Sequence, residues 1–131
     1  MDPRDRDFDQ ISVGETAERH RTVSVFDIDA FANLSLDRNP LHMDESYAAQ
    51  TPFQRRVAHG LLLSSWFSEI IGMELPGVRS LILKSYWQYR KAVCVGDKAV
   101  LRVKVIQKVD AVRALVCSCE LFVDDVCAVD G

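Results

Sequence analysis

Ala58–Leu75, AHGLLLSSWFSEIIGMEL, is the stretch whose reading decides the fold. Leu61, Leu62, Leu63, Trp66, Phe67, Ile70, Ile71 and Met73 put apolar side chains on nearly every face, the pattern of a helix enclosed on all sides rather than one lying on a surface. A bilayer span needs about 20 apolar residues, and this run is too short and too punctuated for that. Gly60, Ser64, Ser68 and Gly72 recur every fourth residue and align one narrow face of small side chains. Such a face suits close packing on a sheet, contact with a substrate, or both along its length. Pro76-Gly77 ends the run.

Beyond Ser80 the pattern changes to period two with β-branched residues, predicting long strands over Leu81–Ala92, Ala99–Val109 and Val112–Val123 and a last one from Val126. Gly96-Asp97, Asp110 and Asp124-Asp125 mark the turns. Long strands joined by short turns pair as an antiparallel meander, and the one all-round apolar helix is there to cover its inner face. The expected class is therefore α+β, an antiparallel sheet wrapped around a long central helix.

Ahead of the helix, Thr16–Ser24 is compatible with a short edge strand. Ser24 with Asp27 forms a capping box, and Ile28, Phe31 and Ala32 repeat at helical spacing, so a helix is expected to Ser35. Asp44 caps a second short helix, Glu45–Gln50, which Pro52 ends. Residues 1–9 alternate acids and arginines around Phe8 and are expected to form a loose, disordered tail, leaving 10–131 as a single domain.

Composition narrows the function classes. A chain of 131 residues, 48% hydrophobic and 27% charged, is one soluble globular domain. A formal charge of -3 argues against a nucleic-acid-binding face. With four cysteines and no apolar leader, reduced thiols and a cytoplasmic location are expected. Cys117-Ser118-Cys119 lacks zinc-type spacing and a nearby histidine, so no metal site is expected there. No glycine-rich phosphate loop and no Gly-x-Ser-x-Gly elbow is present, which removes the best signals for nucleotide binding and serine hydrolysis.

Between the two short helices stands Asp37-Arg38-Asn39-Pro40-Leu41-His42. Pro40 fixes its own φ and pushes Asn39 out of the helical region, so the backbone breaks here and restarts. A carboxylate and an imidazole then flank one corner, the pair that moving protons near neutral pH requires. The alternative for the same residues is a helix stop and start, with Asp37 as a cap and His42 on the surface.

Taken in order, Phe31-Ala32, Asp37–Asp44, Ala58-His59-Gly60, Leu75-Pro76-Gly77 and Val95-Gly96-Asp97 resemble the MaoC-like, R-specific enoyl-CoA hydratases of the hotdog fold, over nearly the whole domain. The resemblance implies Asp37 and His42 as the catalytic pair and the Gly60 backbone N–H as oxyanion donor. Asn39, His59 and Ser68 are implied on the substrate side, Asn39 as a residue that orients the turn and the water. The implied reaction is reversible hydration of trans-2-enoyl thioesters to (R)-3-hydroxyacyl thioesters without cofactor or metal. Its partners are an acyl-CoA or acyl-carrier-protein substrate and a second copy in a homodimer, with no nucleic acid and no membrane. The alternatives are a 3-hydroxyacyl-carrier-protein dehydratase and, less well, a non-catalytic acyl-binding subunit. Lys84, Arg90, Lys91, Arg55 and Arg56 are candidates for the carrier's phosphates, or solvated surface charges. Leu36, Trp87 and Ala92 depart from the usual family pattern, and the first two bear on the shape of the acyl pocket.

Overall fold

The computed structural model describes residues Met1–Gly131. In chain order the elements are β1 (Thr16–Thr22), α1 (Val25–Ser35), α2 (Pro40–Met43), α3 (Glu45–Ala49), α4 (Gly60–Ser65), α5 (Phe67–Met73), β2 (Gln88–Tyr89), β3 (Lys98–Val109), β4 (Ala114–Val123) and β5 (Val126–Asp130). The strands form one antiparallel sheet in the order β1-β3-β4-β5-β2.

Period-two alternation builds the inner face. Ala99, Leu101, Val103 and Val105 of β3 are buried, and across from them lie Cys119, Leu121 and Val123 of β4. They form one core with Leu62, Leu63, Trp66, Phe67 and Ile70 of the helical run. Each large apolar side chain so enclosed contributes about 1.5–3 kcal/mol relative to exposure. A bulge between Val105 and Gln107 leaves Ile106 unpaired and half exposed.

The central helix is interrupted at Trp66, where the sequence predicts one continuous element. The hydroxyls of Ser64 and Ser65 donate back to carbonyls in the preceding turn, Gly60 and Leu61 O at 3.3 Å and Leu62 O at 2.6 Å. Trp66 N–H then donates to Leu63 O, three residues back, and the ladder restarts at Phe67. Serine hydroxyls competing for helix carbonyls favour such an interruption. Nor is the helix enclosed all round: Leu61, Ser65, Ser68 and Glu69 are exposed. No helix of the chain is long and apolar enough to cross a membrane.

A larger correction concerns Leu81–Ala92. Only Gln88 and Tyr89 pair, with Asp130 and Val129 of β5, and Leu81–Trp87 has no regular secondary structure and no ladder. Period-two side chains are the local half of a strand's signature, and the other half is a hydrogen-bonded neighbour, which Leu81–Trp87 does not have in this structure. The start of β4 moves from Val112 to Ala114 because Asp110–Val112 closes a 3-10 turn ending at Arg113, φ 50.

Where a loose tail is expected, the first residues lie against the end of the helix. Arg4 N–H donates to Met73 O, Val78 N–H donates to Arg4 O, and Arg79 pairs with Asp5 and Asp7. Lys108 reaches Phe8 O and Ile11 O and covers the Phe8 ring. These partners are far away in sequence, so composition alone gave no sign of them.

Candidate active site

The turn between α1 and α3 is built by short side chains bonding to nearby backbone. Leu36 closes α1 in the left-handed region at φ 65. Asp37 Oδ1 accepts from Asn39 N–H at 3.1 Å, and Asn39 Oδ1 accepts from Leu41 N–H at 3.0 Å, capping α2 with Pro40 in its first turn. One turn later His42 points back toward Asp37.

The segment before α4 holds this corner from behind. Arg56 donates to His42 O and pairs with Asp29 of α1 at 2.7 Å, its side chain largely buried. Val57 N–H donates to Leu41 O, and Ala58 N–H to Val93 O. The Val57 carbonyl accepts from His42 Nδ1 at 2.7 Å. A carbonyl has no proton to give, so Nδ1 carries the hydrogen and Nε2 is the nitrogen turned to the site.

That Nε2 lies 3.9 Å from Asp37 Oδ2, with the imidazole 15% and the carboxylate 51% exposed. The gap is too long for a direct hydrogen bond and within the span of one bridging water. His59 forms the floor. It is 3% exposed, its Nε2 donates to Asp37 O at 3.0 Å, and its ring stacks on His42 with centroids 3.9 Å apart, 27° between planes. Phe31 of α1 packs on the other side of it, at 4.9 Å. Its Nδ1 is buried without a hydrogen-bond partner.

Asp37, His42 and His59 bring one carboxylate and two imidazoles together, with ligand atoms within 4.8 Å of one another. Imidazole binds a cation through lone pairs in the ring plane, and two stacked rings direct theirs along neighbouring planes rather than onto one ion. One nitrogen of each ring, His42 Nδ1 and His59 Nε2, is also already bonded to a carbonyl.

His59 leads directly into Gly60, the first residue of α4, whose N–H makes no hydrogen bond with the chain backbone. A Cβ at Gly60 would stand 3.0–3.2 Å from the ring of Tyr89, so glycine is what lets the phenol lie on the helix start. The Tyr89 hydroxyl meets Ser64 Oγ at 2.9 Å. Sequence spacing puts Ser64 on the small-residue face of the helix but carries no sign of Tyr89 or the Val57 carbonyl; Arg56 looks like a surface charge until its two partners are seen.

The candidates thus separate. Asp37, His42, Asn39, His59 and Gly60 assemble at one corner, Asn39 as a cap and His59 as a buried support. Ser68 is exposed one helical segment away, on the wall of a cleft of about 740 Å³ whose lining includes Leu61, Ser64, Ile71, Trp87 and Cys117 but neither Asp37 nor His42. Leu61 and Ser64 connect the two regions along the helix. Among the candidate phosphate contacts, Arg55 is bound to Asp97 and Val95 O, Arg56 to Asp29, and Arg90 to Asp130, which leaves Lys84 and Lys91 unpaired.

Residues 10–118 match the model of the MaoC like domain. The chain is 33% identical over 124 residues to the 3-hydroxybutyryl-CoA dehydratase of Methylorubrum extorquens, covering 95% of this chain and 79% of that one. It is 40% identical over 95 residues to the (R)-specific enoyl-CoA hydratase of Aeromonas caviae, covering 72% and 71%. The solved structure of the A. caviae (R)-hydratase involved in PHA biosynthesis superimposes with a TM-score of 0.90 at 34% identity, over 92% of each chain. With the sheet, the two-segment central helix and this corner already in place, these matches settle the family: the chain is a hotdog-fold member of the MaoC-like hydratases and dehydratases.

Proposed function

We propose that the chain is a hydro-lyase that adds water reversibly across a trans-2-enoyl thioester to give the (R)-3-hydroxyacyl thioester, with Asp37 and His42 as its catalytic pair. The observation that carries this is the 3.9 Å separation of His42 Nε2 and Asp37 Oδ2, with Nδ1 already committed to Val57 O. A water held between them faces one group that takes a proton and one that gives one.

The steps balance. With His42 entering as the imidazolium, Asp37 takes a proton from the water as its oxygen bonds to C3. The C2–C3 π pair moves to C2 and the thioester carbonyl, and His42 Nε2 delivers its proton to C2. Asp37 then returns the captured proton to His42 across the gap, restoring both groups. The enolate oxygen meets the Gly60 N–H, an unpaired donor at a helix start, where a carbonyl gaining charge is held more strongly than a neutral one. Asn39 keeps Asp37 at its post, and His59 keeps His42 flat. Only water and protons are exchanged, so no redox group or cofactor takes part in these steps.

Relatives of this chain include enzymes named for acyl-CoA substrates and others named as 3-hydroxyacyl-[acyl-carrier-protein] dehydratases, such as one from Arabidopsis thaliana at 35% identity over 96 residues. The second reading, dehydration on an acyl-carrier protein, uses the same residues in reverse. A homodimer and a cytoplasmic location belong to the proposal. The exposed apolar run Leu81, Leu83 and Tyr86 and four unpaired thiols support them.

The test is to mix the protein with a short trans-2-enoyl-CoA and follow the conjugated ultraviolet band. Decay of the band without release of free thiol is the expected result. Thiol release would mark a thioesterase, and no change with either carrier would remove the proposal.

A further inference from the structure

His42 stands on a helix too short to hold it. α2 is a single turn of four residues, and a helix of that length does not keep its shape unaided in water. His42 lies in its last turn, where carbonyls have no donor within the helix, and no backbone N–H reaches His42 O. Arg56 supplies the missing donor. Its side chain is only 11% exposed; Nε–H donates to His42 O and Nη2–H to Asp29 Oδ1 at 2.7 Å, with Met43 Sδ 3.9 Å from the same nitrogen. Asp29 belongs to α1, the helix whose end presents Asp37. One guanidinium thus ties together the two halves of the corner. Arg56 is itself held, its carbonyl accepting from Val95 N–H at 3.0 Å, and the next residue, Val57, bonds Leu41 O through its N–H and His42 Nδ1 through its carbonyl.

We propose that Arg56 is a positioning residue for the His42 imidazole, anchored by Asp29, and not a contact for the substrate's phosphates. With Val57 it grips His42 at both backbone and ring and so fixes the 3.9 Å gap between Nε2 and Asp37 Oδ2. A guanidinium suits the task. Its planar fork sends donors in two directions at once, and it stays charged at every pH the fold survives, so the clamp does not open near neutrality. A residue that works in this way touches neither water nor thioester, and its loss falls on kcat rather than on KM. The kinetic half of this inference rests on the hydro-lyase reading; the structural half does not.

The test uses two variants of the full chain. Arg56→Met keeps the packing of the stem and removes the fork, and Asp29→Ala removes the anchor from a half-exposed position. The first readout is exchange of the His42 Nδ1–H with water, followed by proton NMR on the signal that His42→Ala abolishes. In Arg56→Met it should be on the order of tenfold faster, as local opening of the turn requires. The second readout is turnover of a short trans-2-enoyl-CoA, where kcat should fall by about 10- to 100-fold, the scale of a slightly misplaced reacting group, with KM within about twofold of the parent. Asp29→Ala should move both readouts the same way by less, and the double variant should be no slower than Arg56→Met, because Asp29 acts through Arg56. Unchanged proton exchange in both variants overturns the proposal whatever the turnover. So do additive losses in the double variant, or a loss confined to KM, the mark of a phosphate contact. Should Arg56→Met fail to fold, Asp29→Ala decides on the same two readouts. A parent chain that turns over no enoyl thioester would defeat the hydro-lyase reading, and the proton exchange would still decide whether Arg56 and Asp29 hold His42.

Discussion

Asp37 and His42 each divide their polar atoms between holding the backbone and facing each other. Asp37 Oδ1 is taken by Asn39 N–H and His42 Nδ1 by Val57 O, so Oδ2 and Nε2 are what is left for chemistry. Asp37→Asn keeps an acceptor for Asn39 N–H but loses the proposed base, and His42→Ala removes the proposed proton donor. Each should lower turnover by about 10²–10⁴, the usual worth of a positioned acid or base, with the circular dichroism spectrum unchanged. Near-native turnover in either variant would dismiss the proton relay. The thiols offer a contrast at the same scale. Burial first, and then the neighbouring Cys117, push the Cys119 thiol up to about 12. At pH 8 its thiolate fraction is then on the order of one in ten thousand, and the thiolate is the reactive form. Iodoacetamide at pH 8 should leave Cys119 unmodified in the native protein and label it after denaturation, as peptide mass spectrometry would show; rapid native labelling would contradict the burial.

At the scale of elements, the corner that holds Asp37 and His42 depends on how α1 stops. Leu36 ends it at φ 65, a conformation that costs a residue with a Cβ roughly 1–2 kcal/mol, and its side chain is 76% exposed, so little packing compensates. Glycine removes that strain and gives back roughly 0.5–1 kcal/mol as extra freedom of the unfolded chain. Leu36→Gly should therefore stabilise the protein by about 0.5–1 kcal/mol, read as a higher urea midpoint at unchanged slope; a lower midpoint would mean that Leu36 packs on something in solution. Most of this corner was legible in the sequence, since capping boxes, Pro40 and Asp44 act on residues within four positions. The helix and β3 were legible for a similar reason: their periodicity is local. What the sequence hid are contacts made across the chain. Arg56 finds Asp29, Tyr89 lies on Gly60, and Ser64 and Ser65 bond back to carbonyls just before the break in a helix whose apolar pattern reads as continuous. Leu81–Trp87 has a strand's composition and lacks a strand's neighbour, which no local pattern records.

Across the whole molecule, ion pairs fasten the first residues to the sheet and to the end of the central helix, and one of them makes stability depend on pH. Glu15, just before β1, accepts from Ser12 N–H and pairs with Arg6 at 2.9 Å. Burial raises its pKa, but the Ser12 hydrogen bond and the Arg6 guanidinium outweigh burial and hold the carboxyl below its ordinary value. The sign follows. A carboxyl whose folded pKa lies below its unfolded one binds protons more readily in the unfolded chain, so its contribution is complete above the unfolded value, near 4.5, and fades as pH falls through the folded one. The side chain is 30% exposed, so the effect is modest and further weakened by salt. Glu15→Gln retains an acceptor for Ser12 N–H and discards the charge. Thermal midpoints measured from pH 7 to pH 3 should show the variant below the parent at neutral pH and the difference shrinking as the pH drops past 4.5. A gap that stays constant over that range would mean that Glu15 holds the N-terminal segment by shape and hydrogen bonding alone, with no part for its charge.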